Sequence, residues 1–313
     1  MRIACLISAL FLAWAGRAQE AVTRTSSARD LNGNAVEGPA VLERKTPGAV
    51  ERTEKRQSIN GRLAPAETVE ERVVRDDSSG RLIERVVKRF DPTGNPLPVE
   101  KTTIEETKRA TGLTVRTTTR RADLNGNMAV AERSQTDVEK TGARETSETV
   151  TERFSLNGGF EPVEKRSVVK EGSPESFQEN TVVFRKGENG FVPALRVVTQ
   201  HSSRSNGSTD EQARYEPGSS GQMELRSQTV SRATKQPDGS ESRQVDRFGV
   251  AVAGTVSAAG SGMRLQEREL VERRKTAAGL IEIVRVQRPT VSDPGVLGPT
   301  RVISETECRG KCQ

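Results

Sequence analysis

The sequence holds a single histidine, a single tryptophan, a single tyrosine and three cysteines in 313 residues. Each scarcity excludes something. With His201 as the sole imidazole, no metal centre that needs two or more histidine ligands can be assembled. Aromatic residues make up 3% of the chain and hydrophobic residues 32%, against about 45–50% apolar residues in ordinary globular domains, so a thick core is not on offer. No Walker loop and no dinucleotide fingerprint is present. The longest apolar run, residues 3–15, falls short of the ~20 residues that a bilayer-spanning helix requires.

That run follows Arg2 and ends in small residues, the layout of a secretory signal cleaved after Ala15 or Ala18. We read residues 1–18 as a signal peptide and expect an exported protein, periplasmic or extracellular, with no transmembrane span after cleavage. Cys5 stands too early for a lipid-bearing cysteine. Cleavage removes Trp14, Cys5, Arg2 and Arg17, so 49 basic residues become 47 against 43 acidic ones. The charges interleave, and no basic stretch stands apart as a nucleic-acid footprint. Abundant Val and Thr favour half-buried pleated structure over a disordered chain that folds on binding.

An internal period dominates the mature chain. Turn signals recur at Asn60-Gly61, Asp91-Pro92-Thr93-Gly94, Asp123-Leu124-Asn125-Gly126, Leu156-Asn157-Gly158 and Glu188-Asn189-Gly190, with an earlier copy at Asp30-Leu31-Asn32-Gly33. Measured at Gly61, Gly94, Gly126, Gly158 and Asn189 the steps are 33, 32, 32 and 31. Glu100-Lys101, Glu132-Arg133 and Glu164-Lys165 follow the turns at matching distances, and Arg89, Arg121, Arg153 and Arg185 recur every 32 residues. A second turn divides each unit, as at Ser79-Gly80, Thr111-Gly112, Asn206-Gly207 and Ala278-Gly279. Turns at this spacing with β-branched stretches between them specify strands of about ten residues. Pro65, Pro98, Pro162 and Pro193 argue against helices.

The expected organisation is a linker at 19–27, eight hairpin units over 28–288 and a tail at 289–313. The expected fold is all-β: tandem 32-residue β-hairpin repeats forming an extended antiparallel meander or solenoid-like array, open or closed on itself. Apolar residues such as Phe90, Leu97, Phe154, Phe160 and Val192 flank the Asp-x-x-Gly turns, whereas the second turns have polar flanks. Hairpins should therefore associate through the first end and project the second into solvent. Between the ends alternation fails, because Glu164, Arg166 and Lys170 share the parity of Phe160 and Val168. Terminal segments are the expected edge caps.

Two places could carry chemistry. Ser202, Ser203 and Asp210 lie close to His201 in sequence, but a solvated loop histidine is the expectation, since triads are assembled from distant segments. Cys308 and Cys312 in the tail suit a disulfide in an oxidising compartment, with thiol or metal handling and an intermolecular link as alternatives. No cofactor is expected.

At Arg89-Phe90-Asp91-Pro92-Thr93-Gly94-Asn95, at Arg29-Asp30-Leu31-Asn32-Gly33-Asn34 and at Ser79-Gly80-Arg81-Leu82 the chain resembles YD-type (RHS-like) exported β-hairpin repeats. The resemblance implies an extracellular binding or encapsulating array and carries over no catalytic residues. Together these readings point to a non-catalytic exported repeat protein, a structural or interaction surface whose partner is a protein or polysaccharide of the envelope or exterior. An exported hydrolase, or a thiol- or metal-handling protein using His201 or Cys308/Cys312, is the alternative.

Overall fold

The computed structural model describes residues 20–29, 35–45, 50–59, 62–123, 125–155, 158–250, 262–277, 279–290 and 296–309. All regular structure in these residues is β. The strands are β1 (Glu20–Arg29), β2 (Ala35–Lys45), β3 (Val50–Ile59), β4 (Arg62–Asp77), β5 (Gly80–Arg89) and β6 (Glu100–Arg109). There follow β7 (Gly112–Ala122), β8 (Met128–Thr141), β9 (Arg144–Phe154), β10 (Phe160–Ser173), β11 (Ser176–Gly187) and β12 (Gly190–Arg204). The last six are β13 (Gly207–Pro217), β14 (Met223–Lys235), β15 (Glu241–Val250), β16 (Met263–Thr276), β17 (Gly279–Gln287) and β18 (Arg301–Arg309).

Every strand pairs antiparallel with its sequence neighbours, and β1 pairs with β18 from Thr23 opposite Arg309 to Ala28 opposite Ser304. The meander therefore closes into an 18-stranded up-and-down barrel. This replaces the extended or solenoid-like form by a ring, and a ring needs no edge caps because closure removes the edges. It also draws in more of the chain than 28–288: β1 begins in the expected linker, and β18 lies in the expected tail.

The two kinds of turn build the two ends of the barrel differently. At the first end, Asp91 N–H donates to Asn95 O at 2.9 Å and Gly94 N–H to Asp91 O at 2.9 Å, and Asp123, Gly126 and Asn127 repeat the pattern. Gly94 and Gly126 have φ of +91° and +82°, a left-handed conformation in which a Cβ is strained. Gly158 has φ +90° in the matching loop, whereas Asn189 sits in a tighter turn closed by Gly187 opposite Gly190. Gly33 and Gly61 lie outside the described residues. At the second end most turns have two residues, as between Asp77 and Gly80 or Arg109 and Gly112. A Cβ on Gly112 would stand 1.9 Å from Val138 O, so the close approach of β8 demands glycine there.

Near the first end the register slips by one residue on eight even-numbered strands. On β2 the pair Gly38 and Pro39 faces Ser26 alone, and on the others the extra residues are Ala66, Ala131, Val163, Ala194, Arg226, Gln266 and Ile303. Such bulges add twist and bend the strand, and a corner pattern repeated around the wall is what barrel closure asks for. Each bulge also switches which face the following residues occupy.

Residues opposite one another in an antiparallel ladder share a face, so the register assigns two faces around the ring. Of the twelve buried side chains among the described residues, eight, including Ile83, Val87, Val245, Val271, Val286 and Cys308, lie on one of them. Curvature crowds side chains on the concave side, so this is the inner face. Among the described residues the strands pack almost entirely against their ring neighbours, and the wall is one sheet thick. The accessible surface of 21766 Å² well exceeds the ~13,000 Å² typical of a compact chain of this mass. A round wall of this strand number is about 35 Å across, wide enough for a wet lumen.

Candidate interaction surface

The recurring arginines and the recurring Glu-Lys pairs turn out to be partners across strands. Glu100 lies opposite Arg121, Glu132 opposite Arg153 and Glu164 opposite Arg185, all on the inner face. The 32-residue period thus delivers an acid on an even strand to a base on the next odd strand. Lys55 Nζ donates to Glu67 at 2.8 Å, Arg89 Nε to the same carboxylate at 3.1 Å, Arg121 Nε to Glu100 at 2.8 Å and Arg153 Nε to Glu132 at 2.8 Å. Arg89 also comes within 3.9 Å of Glu100, which links β3 to β7 in one chain of charges. Exposed pairs contribute about 0.2–1 kcal/mol each. Their larger effect is on register, because a slip of one residue would turn the acids of one strand away from the bases of the next.

Acid should weaken this arrangement. The hydrogen bond from the Lys55 ammonium, helped by Arg89, holds Glu67 below its ordinary 4.5. In the first-end loop the Thr93 hydroxyl and the Asn95 N–H lower Asp91 from 3.8 to about 2. A carboxylate with a lowered folded pKa adds stability above its unfolded pKa and loses it as pH falls through the folded value. Urea melts should therefore show constant stability from pH 7 to about 5 and a decline from pH 4.5 towards 2. A midpoint unchanged at pH 2.5 would contradict this assignment.

The outer face at the first end has a different chemistry. Eight aromatic residues follow residue 18, and all but Phe177 sit at or within a few residues of the Asp-x-x-Gly end. Bulge by bulge, the register puts Phe154, Phe160, Phe184, Phe191, Tyr215 and Phe248 on the outer face. Phe154 meets Phe160 edge-on with ring centroids 5.6 Å apart. Cations lie over three of these rings: Arg133 is 4.1 Å from the Phe160 centroid, Lys165 5.4 Å from Phe191 and Arg196 5.7 Å from Tyr215. Nine large hydrophobic residues are exposed among the described residues, and all but Val73 and Val74 are at this end, with Phe154 at 59% and Val192 at 54%. The apolar flanks of the first turns thus form a rim. Hairpins, however, pair along their whole length, not through that end, because backbone ladders run from rim to rim.

His201 sits near the second end on the inner face. Its Nδ1 is 2.6 Å from Asp210 Oδ1, and its ring stacks on Phe177 at 4.9 Å, with Lys170 Nζ 3.9 Å from the other ring's centroid. It is thus a strand residue in a stack, where a loop residue was expected. Ser202 faces the opposite side of β12, and Ser203 is about 7 Å further along the strand. Asp210 and His201 meet; no serine joins them. Cys308 is 4% exposed on the inner face, opposite Leu280 of β17 and Arg24 of β1. Arg309 beside it donates to Glu307 at 2.9 Å. Cys312 and Cys5 lie outside the described residues. Among the described residues no group of three or more His, Cys, Asp or Glu side chains is placed to hold a metal ion.

Comparison with protein-family models, with curated proteins and with solved structures returns no match for this chain.

Proposed function

We propose that this protein is a non-catalytic exported barrel that serves as a structural or interaction surface in the cell envelope or outside the cell. The observation that carries the reading is the repetition of one cross-strand acid–base pair around the inner wall, because repetition multiplies a surface, whereas catalysis needs a unique constellation. The apolar stretch at residues 3–15 supports export, and the likeness to YD-type repeats supports an extracellular array. Even-numbered closed barrels also span outer membranes, but those carry an outward apolar band about 25 Å tall. Here the outer face is charged at mid-wall through Arg116, Asp137, Arg232 and Arg268. That charged mid-wall supports reading the barrel wall as one that faces water.

A Cys308–Cys312 disulfide belongs to the same reading; intact mass with and without reductant tests it. The His201–Asp210 pair keeps the hydrolase alternative in view. Crosslinking in the native envelope followed by partner identification decides between them. Specific crosslinked partners are expected. Absence of partners, together with a hydrolytic activity that His201→Ala abolishes, would replace the scaffold by an enzyme.

A further inference from the structure

We infer that the first-end rim docks the barrel end-on to an anionic phospholipid bilayer. The inference rests on the reading of the barrel as an interaction surface and names what that surface meets. Three observations carry it. Among the described residues, seven of the eight aromatic rings and seven of the nine exposed large hydrophobic side chains lie at one rim, where Leu97, Phe154, Val192 and Val250 stand in solvent. Within the same belt Arg133, Lys165 and Arg196 lie against ring faces. Rings backed by cations match the boundary between acyl chains and anionic headgroups, where apolar groups enter about 5–10 Å and bases are drawn to the negative surface. Thirdly, strand direction places β1's start and β18's end at the opposite rim, so neither terminal strand end lies at the docking rim.

A second copy of this chain is the competing occupant, and charge disfavours it. Rim-to-rim contact on a two-fold axis would bring the Arg133, Lys165 and Arg196 belt against its own kind. An anionic headgroup layer complements that belt.

The test uses the chain from residue 19 and vesicles of phosphatidylcholine with or without 30% phosphatidylglycerol. Co-sedimentation should show binding to the anionic vesicles at least tenfold tighter than to phosphatidylcholine alone, weakening in 0.5 M salt. The triple variant Leu97→Ser, Phe154→Ser, Val192→Ser should lose at least tenfold in binding while keeping its circular dichroism and melting profile. Because the mature chain has no tryptophan, Phe154→Trp supplies a reporter whose emission should shift to the blue on anionic vesicles. Lack of binding, binding indifferent to the triple variant, or a dimer in sedimentation velocity that the triple variant dissolves would each overturn the proposal. Native crosslinks to a protein with no vesicle binding would remove the lipid and leave the scaffold; a His201-dependent hydrolysis would remove the scaffold and leave vesicle binding untouched.

Discussion

A chain ended at Thr300 should lose its cooperative fold and associate. The deletion removes β18, which pairs with β17 from Gly279 to Val286 and with β1 from Thr23 to Ala28. The remaining seventeen strands cannot close in the same way, because an up-and-down meander of odd number leaves β1 and β17 pointing in the same direction. Antiparallel pairing between them is then geometrically barred, and a parallel pair would need a new register. Two long edges stay open, each a template for another chain. Concentration-dependent oligomers in sedimentation velocity and a fall in melting temperature on the order of 10 °C are expected, since a loss of several kcal/mol moves a chain of this size by about that much. The point variant Thr306→Pro addresses the same closure without shortening the chain. Thr306 sits between Glu282 and Ser26, and a proline there removes a ladder donor in a strand paired on both sides. A truncated chain that remains monomeric and melts as the full chain does would mean that the closing pair contributes nothing.

The closure explains which parts of the fold the sequence discloses. Turn chemistry is local, so the Asp-x-x-Gly loops and their 32-residue step are readable from Asp91-Pro92-Thr93-Gly94 and its copies without any tertiary knowledge. Pairing β1 with β18 joins segments about 280 residues apart in sequence, and no local pattern announces it; β18 reads as a tail because its turn is replaced by the longer connection from 288 to 300. Face assignment fails for a definite reason. Glu164, Arg166 and Lys170 share a parity with Phe160 in sequence, but the bulge at Val163 moves Phe160 to the outer face and leaves those charges on the inner one with Val168. Pro162 and Pro193 each stand immediately before a bulge residue, and Pro65 before Ala66 does the same. Their recurrence at the repeat spacing was the available signal, visible as helix-breaking but equally a mark of bulges. The acid–base ladder follows the same logic: both members of each pair are plain in the repeat, and only the register shows that Glu100 and Arg121 face each other.

Replacing Asp246 should destabilise the barrel more than removal of any other single charge discussed above. Asp246 lies at mid-wall on the outer face, 4% exposed, between buried Val230 on β14 and Arg268 on β16. It accepts from Arg268 Nε at 2.6 Å and NH2 at 3.1 Å, from Gln244 at 2.9 Å, and lies 3.7 Å from Arg232. Burial pushes its carboxyl up, but hydrogen bonds from Arg268 and Gln244 with the charges of Arg268 and Arg232 outweigh that and hold it below its ordinary 3.8. Breaking a fully buried pair costs about 3–5 kcal/mol. Arg268 keeps some contact with water, so Asp246→Ala is expected to cost roughly 2–4 kcal/mol, measured by urea melts at pH 7. Asp246→Asn keeps the shape and an acceptor but not the charge, and should cost about half as much. The sign of the pH response separates charge from shape. Wild-type stability includes an ionised Asp246 that is fully present above about pH 4 and fades as acid protonates it, so the gap between wild type and the Asn variant should shrink as pH falls towards 2. A double-mutant cycle with Arg268→Ala should return a coupling of about 1–3 kcal/mol. A coupling below ~0.5 kcal/mol would reduce the pair to one more solvated contact on a charged wall.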